Sequence, residues 1–214
     1  SIITISVSIF AGERINLISR VFGGMLAGLS WKPKLLPYSI LICIEFAAVF
    51  SVFLFNEGLA SRFGTQFVSQ LPIHSESHYM QVWRGGIIAF QESPIIGIGP
   101  DVYRKSCPSL TEGIDNIECH THPHNFYVQL AGETGIIGLV TGCLMMGSII
   151  VTCFSYRRVD KNNIFTAVAY VVPLAVFFPL KSTGDFFGQW NNLFMWSAVA
   201  FALASGNLLH ERKA

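Results

Sequence analysis

Three histidines, His120, His122 and His124, stand at alternate positions in one short segment of a 214-residue sequence. Imidazole changes charge near neutral pH, so such a group can hold a metal, sit as plain polar residues at an interface, or move a proton. The residues alone leave all three readings open. Cys119 with the three histidines is a zinc-type donor set. Alternate spacing in an extended segment would put the rings on one face, although Pro123 interrupts regular extended structure. A general base would instead need a substrate hydroxyl within hydrogen-bond reach. His124-Asn125 is followed by nine residues, then Gly135, two residues and Gly138, where a long apolar segment begins. A titratable cluster directly before a membrane-length helix predicts chemistry at a membrane surface.

The surrounding composition agrees. The chain is 51% hydrophobic and 13% charged, against about 25% charged for an average soluble protein. Its mean hydropathy is +0.50. These values predict an all-α, polytopic helical membrane protein. A net charge of +1 offers no basic excess to displace counterions, so no nucleic-acid partner is expected. The first residue already lies in an apolar run with no Met before it, which predicts a piece of a longer protein whose first helix is truncated.

Hydropathy divides the chain into transmembrane helices over 1–56, an outer loop with its own short helices over 57–125, and C-terminal transmembrane helices over 126–214. In the first part, Gly12-Glu13-Arg14 breaks the opening apolar run, and Arg20 interrupts the next. Tyr38–Phe55 carries one charge, Glu45, which costs about 2.5–3.5 kcal/mol at a helix centre unless paired. In the loop, His78–Phe90 is expected to lie along the interface as a helix ended near Pro94, with a turn at Gly97-x-Gly99-Pro100. Beyond it, Gly135–Phe154 is an uncharged span, Ile164–Leu180 is a span kinked at Pro173, and Trp190–Gly206 is the last. Alternating spans put Lys32, Lys34, Arg157, Arg158, Lys161, Arg212 and Lys213 on one side, which the positive-inside rule makes cytoplasmic. The loop then faces outward. Cys107 and Cys119 both lie in it, and an oxidising outer compartment predicts a disulfide between them. Cys43, Cys143 and Cys153 fall within spans as small apolar side chains.

With these motifs in place the chain resembles the bacterial O-antigen ligase and polymerase-like superfamily. The resemblance rests on His124-Asn125-x9-Gly135-x2-Gly138, on Ser93-Pro94-Ile95-Ile96-Gly97-Ile98-Gly99-Pro100, and on Gly12-Glu13-Arg14. Tyr103-Arg104-x-x-Cys107, Cys119 and His122-Pro123-His124-Asn125 are similar to one branch of it. It implies the C-terminal half of a multi-pass enzyme of the bacterial inner membrane, with its active side periplasmic. The implied reaction is an inverting glycosyl transfer from an undecaprenyl-diphosphate-linked glycan to a hydroxyl of a lipid or glycan acceptor, without metal or cofactor. By the motif match His124 is the base and Arg14 the diphosphate-binding residue. Where many members carry a further arginine this chain has His78 and Tyr79, so Arg84 or Arg104 is the expected substitute. His122 and Asn125 complete the expected substrate-binding set, with Asn125 also able to orient His124 or cap the helix. Lys181 and Asp185 lie on the same side as His124.

The chemistry suits those residues. A diphosphate leaves as a multiply charged anion that arginine forks bind in bidentate fashion. A neutral histidine can take the acceptor's proton, worth typically about 10²–10⁴-fold. A ligase moving a finished glycan is the first reading, and a polymerase joining repeat units on the lipid carrier is the second. A transporter lined by Arg20 and Glu45 is the third. The concentration of polar residues in one outer loop, instead of in broken midplane helices, favours an enzyme.

Overall fold

The computed structural model describes residues 22–28, 77–158 and 163–211, with isolated helical positions between 40 and 69. The regular elements among the described residues are helices, with no strand. Arg14, Arg20, Glu45, Lys32, Lys34, Lys161, Arg212 and Lys213 lie outside the described residues. So does the sidedness argued from them. The chain divides into two units, one of Gln70–Ile150 and Val176–Ala200, the other of Ser1–Ser69, Val151–Ala175 and Phe201–Ala214.

The first of these units holds the histidines. It opens with α1 (His78–Glu92), whose N-cap Ser77 accepts a hydrogen bond from the Met80 N–H at 3.2 Å. That bond satisfies one of the orphan donors of the first turn. The buried face of α1 is Val82, Gly85, Gly86 and Ala89, the spacing of one helical stripe. Its glycines matter because neighbours occupy the space a side chain would fill. A methyl on Gly85 would meet the Tyr103 hydroxyl, and one on Gly86 would meet Val128 and Pro123. The short helix α2 (Tyr103–Leu110) packs there, burying Tyr103 and Cys107 against Ala89. A disulfide joins Cys107 to Cys119, so the loop after α2 returns to the same core.

The third helix, α3 (Phe126–Ser155), is broken at Gly135, with φ 65° and ψ −166°. This conformation is essentially reserved for glycine. The break frees backbone groups, and the Ser93–Pro100 loop satisfies them. Ile98 N–H and Gly99 N–H donate to the Gly132 and Glu133 carbonyls at 3.1 and 3.0 Å. In return Ile136 N–H and Ile137 N–H donate to the Pro94 and Ile95 carbonyls at 2.8 and 3.4 Å. The loop can come so close only because both sides lack a side chain. A methyl on Gly97, itself at φ 72°, would strike the Glu133–Thr134 peptide, and one on Gly135 would strike the Ile95–Ile96 peptide. Gly138 leaves room for the Thr134 side chain, which turns back to the Leu130 carbonyl at 2.6 Å. The two glycine-bearing motifs therefore meet, backbone to backbone.

Beyond the break α3 is apolar, and with the following 3-10 turn it forms the one helix among the described residues long and apolar enough to cross a membrane (Phe126–Arg158, with a mean hydropathy of 2.2 over its most apolar 18 residues). Only 17% of its most apolar window is buried inside the protein. The expected Pro173-kinked span over 164–180 is instead two short helices, α4 (Ile164–Val168) and α5 (Val171–Val176). Pro173 has no N–H for the Ala169 carbonyl, and its ring crowds that position, so the helix breaks at Ala169–Tyr170. Residues 177–188 form turns and irregular structure before α6 (Gln189–Glu211). In the second unit, Arg157 stacks over Phe154 and Tyr170 at 5.2 and 5.7 Å from the ring centroids.

Gly135→Ala is expected to lower the thermal midpoint of the detergent-solubilised protein, by an amount corresponding to about 1–3 kcal/mol of backbone strain before any clash with Ile95. Gly147→Ala, in the same helix with open space around it, is the control and should leave the midpoint unchanged or raise it. Equal midpoints for the two variants would show that the Gly135 break is not required.

Candidate functional site

The histidine segment is held at the head of α3 by Asn125. Its side-chain oxygen accepts from the Tyr127 and Val128 N–H groups at 3.0 and 3.1 Å, and its amide donates to the Pro179 carbonyl at 2.6 Å. Asn125 thus caps the helix and ties it to the 177–187 segment, and it is buried. Tyr127 adds a second tie from its hydroxyl to the Phe177 carbonyl. The residue before the cap, His124, sits in the left-handed region at φ 53°. This pose is uncommon for a non-glycine residue and, where it occurs, is enforced by its surroundings. The cap follows it, and its own carbonyl accepts from the Thr183 N–H at 2.9 Å.

Thr183 organises the neighbouring ring as well. Its carbonyl lies 3.1 Å from His122 Nε2. A carbonyl only accepts, so Nε2 carries the hydrogen, which leaves Nδ1 to accept from the Thr121 hydroxyl at 3.0 Å. The His122 and His124 ring centroids are 4.2 Å apart, and His120 lies 5.3 Å from His124. Burial, and then the nearby His122 and His120, pull the His124 pKa down to about 4. The ring is therefore neutral across the physiological range, with a lone pair able to take a proton. The Thr183 hydroxyl is buried and without a hydrogen-bond partner among the described residues.

A polar chain begins at half-buried Asp185 and runs through buried Gln129 to buried Glu133. Gln129 donates to Asp185 at 2.7 Å and to Glu133 at 3.3 Å, and its oxygen accepts from the Phe186 N–H at 2.8 Å. The Glu133 carboxylate then receives the Asp101 and Tyr103 N–H groups at 3.0 and 2.9 Å. These N–H groups open α2, where the unpaired amides and the helix dipole favour a carboxylate acceptor. Burial, with the Glu133 charge beside it, pushes Tyr103 up to about 12. Its hydroxyl lies 3.2 Å from the Cys107 sulfur. A disulfide sulfur has no hydrogen, so the tyrosine is the donor. Sequence reasoning passed over Gln129 and Glu133. The available signal was two polar residues one helical turn apart, on the stretch between the cap and the glycine break.

The expected site residues are brought together unevenly. His120, His122, His124 and Asn125 share one locality with Asp185 and Thr183. The Cys107–Cys119 disulfide removes Cys119 from the zinc-type donor set considered with the three histidines. A different donor group forms at the edge, where His78 Nδ1 and His120 Nε2 lie 3.3 and 3.2 Å from the same Glu118 oxygen. Hydrogen bonding to His120 holds the Glu118 carboxyl below its usual value. Arg104 pairs with Asp101 at 3.3 Å on the surface of α2. Arg84 is half-buried on α1, about 9 Å along the axis from His78 and about 120° around it.

A family model described as O-antigen ligase matches residues 1–143 of the 214, covering α1, α2, the histidine segment and the glycine break of α3. No curated protein and no solved structure matches the chain.

The depressed His124 value carries a sign. An unfolded histidine titrates near 6.5, so between about 6.5 and 4 the unfolded chain takes up a proton that folded His124 refuses. The stability tied to the neutral ring is present above about pH 6.5 and is lost as pH falls toward 4. His124→Gln should therefore show a smaller drop in thermal midpoint between pH 7 and pH 4.5 than wild type. An identical drop in both would mean that His124 titrates normally.

Proposed function

The chain belongs to the O-antigen ligase family, and we propose that within bacterial surface-polysaccharide assembly it transfers a glycan from undecaprenyl diphosphate to an acceptor hydroxyl, with His124 as the base. The observation that carries this reading is the state of His124. A neutral imidazole, held in a strained backbone pose, stands at the head of the one described helix with membrane-spanning length and composition. A lipid-linked donor keeps its diphosphate at that depth, and the acceptor hydroxyl must meet it there.

In the step, the acceptor oxygen attacks the anomeric carbon as the bond from that carbon to the diphosphate oxygen breaks. The leaving electron pair stays on the diphosphate, the acceptor proton passes to His124, and the anomeric centre inverts. A base of pKa about 4 is always ready but weak. The approaching diphosphate anion corrects this, since a neighbouring negative charge favours the imidazolium and raises the value toward neutrality. Arg14, outside the described residues, is assigned to the diphosphate on its motif, with Arg84 and Arg104 as further candidates.

This reading puts the enzyme in the inner membrane as a multi-pass protein, its histidines on the periplasmic face. The apolar surface of α3 supports it. Side chains such as Leu144 and Val151, each 68% exposed, suit hydrocarbon, whereas in water they would forfeit about 25 cal/mol per Å². The transporter reading rested on Arg20 and Glu45, and neither lies among the described residues.

The test is the lipid-linked glycan profile of cells carrying His124→Ala beside wild type, with protein level checked in both. Loss of transfer by at least about 10²-fold is expected, with long polymers accumulating on the carrier. Accumulation of single repeat units would reassign the enzyme to polymerisation. An unchanged profile at normal protein level would overturn the role of His124.

A further inference from the structure

At the edge of the histidine cluster the structure gathers three side chains that share a chemistry. His78 is the first residue of α1, and Glu118 and His120 flank Cys119. Their donor atoms, one from each residue, all lie within 4.8 Å of one another. Both imidazoles converge on a single oxygen, Glu118 Oε2, at 3.3 Å from His78 Nδ1 and 3.2 Å from His120 Nε2. In a tetrahedral zinc site with bonds of about 2.0–2.1 Å, neighbouring ligand atoms stand about 3.3–3.4 Å apart. The two edges that meet at Glu118 Oε2 are close to that separation, and the third, between the two imidazoles, is within 4.8 Å.

The three ligands are also held from behind. Ser77 caps α1 directly before His78. The Glu118 N–H donates to the Gln81 carbonyl of α1 at 3.3 Å. The disulfide to Cys107 anchors the residue between Glu118 and His120. Ligands preorganised on rigid supports need little rearrangement to accept an ion. Two imidazoles and a carboxylate suit a borderline divalent ion of the zinc or copper type, not a hard oxygen-seeking ion such as calcium or magnesium.

We propose that His78, Glu118 and His120 form a binding site for a divalent transition-metal ion, zinc by the nature of its donors, with the fourth coordination position open to an oxygen ligand. All three side chains are solvent-exposed, so the ion has a direct path in and the fourth position faces water. The ring of His120 lies 5.3 Å from that of His124, which sets the ion's positive charge at the edge of the histidine cluster. Its first effect is local. It clips the 111–120 loop to the start of α1, in parallel with the disulfide. The site does not depend on the transfer reading, because the transfer step uses none of its three ligands.

The test uses the intact protein in detergent, stripped with a chelator and titrated with zinc chloride against a chromophoric zinc competitor. One zinc ion per chain is expected for wild type. His78→Ala and the nearly isosteric Glu118→Gln should each weaken binding at least about tenfold, while His122→Ala binds as wild type. Cobalt supplies an independent readout. A visible ligand-field band of tetrahedral intensity should appear in wild type and vanish in His78→Ala. Absence of stoichiometric zinc in wild type would overturn the site, as would equal binding by wild type and Glu118→Gln. Binding that survives His78→Ala but is lost in His124→Ala would also overturn it, because the ion would then belong to the alternate histidines. None of these outcomes is read through glycan transfer, so failure here and failure of the proposed function stay distinct.

Discussion

The interaction on which the histidine-bearing unit depends is the exchange of four backbone hydrogen bonds across the break in α3. A helix interrupted in apolar surroundings exposes carbonyls and N–H groups that cost several kcal/mol each if left unpaired. Here the Ser93–Pro100 loop pairs them. Because the partner is itself backbone, no side chain can stand between the two, which explains glycine at 97 and 135 together. The same exchange sets the direction in which the nine residues before Gly135 point, and these residues carry Gln129 and Glu133.

From that anchor, order passes outward through buried polar groups. Glu133 belongs to both systems. Its carbonyl receives Gly99 N–H in the backbone exchange, and its carboxylate receives the N–H groups at the start of α2. Gln129 carries the chain on to Asp185 and the 177–187 segment, whose carbonyls accept from Asn125, Tyr127 and His122 and whose Thr183 N–H donates to the His124 carbonyl. Such networks are stabilising only when every member is satisfied, and a half-satisfied one is worse than an apolar core. Their presence beside the apolar core fits a demand for exact placement more than for bulk stability. What they place is a histidine whose backbone would relax if it were free.

His124 itself balances two requirements. Burial and neighbouring imidazoles keep it unprotonated, which preserves its lone pair but makes the free base weak. In the proposed step, strength as a base comes from the bound substrate's own negative charge. A site of this kind is quiet without its anion and becomes competent with it, so the donor's diphosphate is both leaving group and activator in the proposed step.

Much of this was legible in the residues. The helical class follows from composition, the end of α1 from Ser93-Pro94, and the Cys107–Cys119 pairing from the place of both cysteines in the polar stretch between apolar ones. His124-Asn125 before an apolar run marks a helix start because asparagine is a natural cap. The resemblance carried by the glycine motifs agrees with the family match over residues 1–143. Other features needed the folded chain. No local pattern says that Gly97 faces Gly135, that Glu133 reaches across to α2, or that Thr183 bonds two histidines some 60 residues away, since each is a contact between distant segments. The division of 164–180 into two short helices was half visible. Pro173 announces a disturbance, but whether a helix bends or breaks depends on what replaces the lost hydrogen bond. His78 gives the clearest case. In sequence it is one polar residue at a helix start. Only the return of the chain through the Cys107–Cys119 disulfide brings Glu118 and His120 to it. Sequence determined which groups could do chemistry and which stretches are apolar enough to form long helices, because composition and periodicity are local properties. Tertiary structure decided which of them meet, and so set the protonation state of His124, because burial and neighbouring charge arise only where separate segments come together.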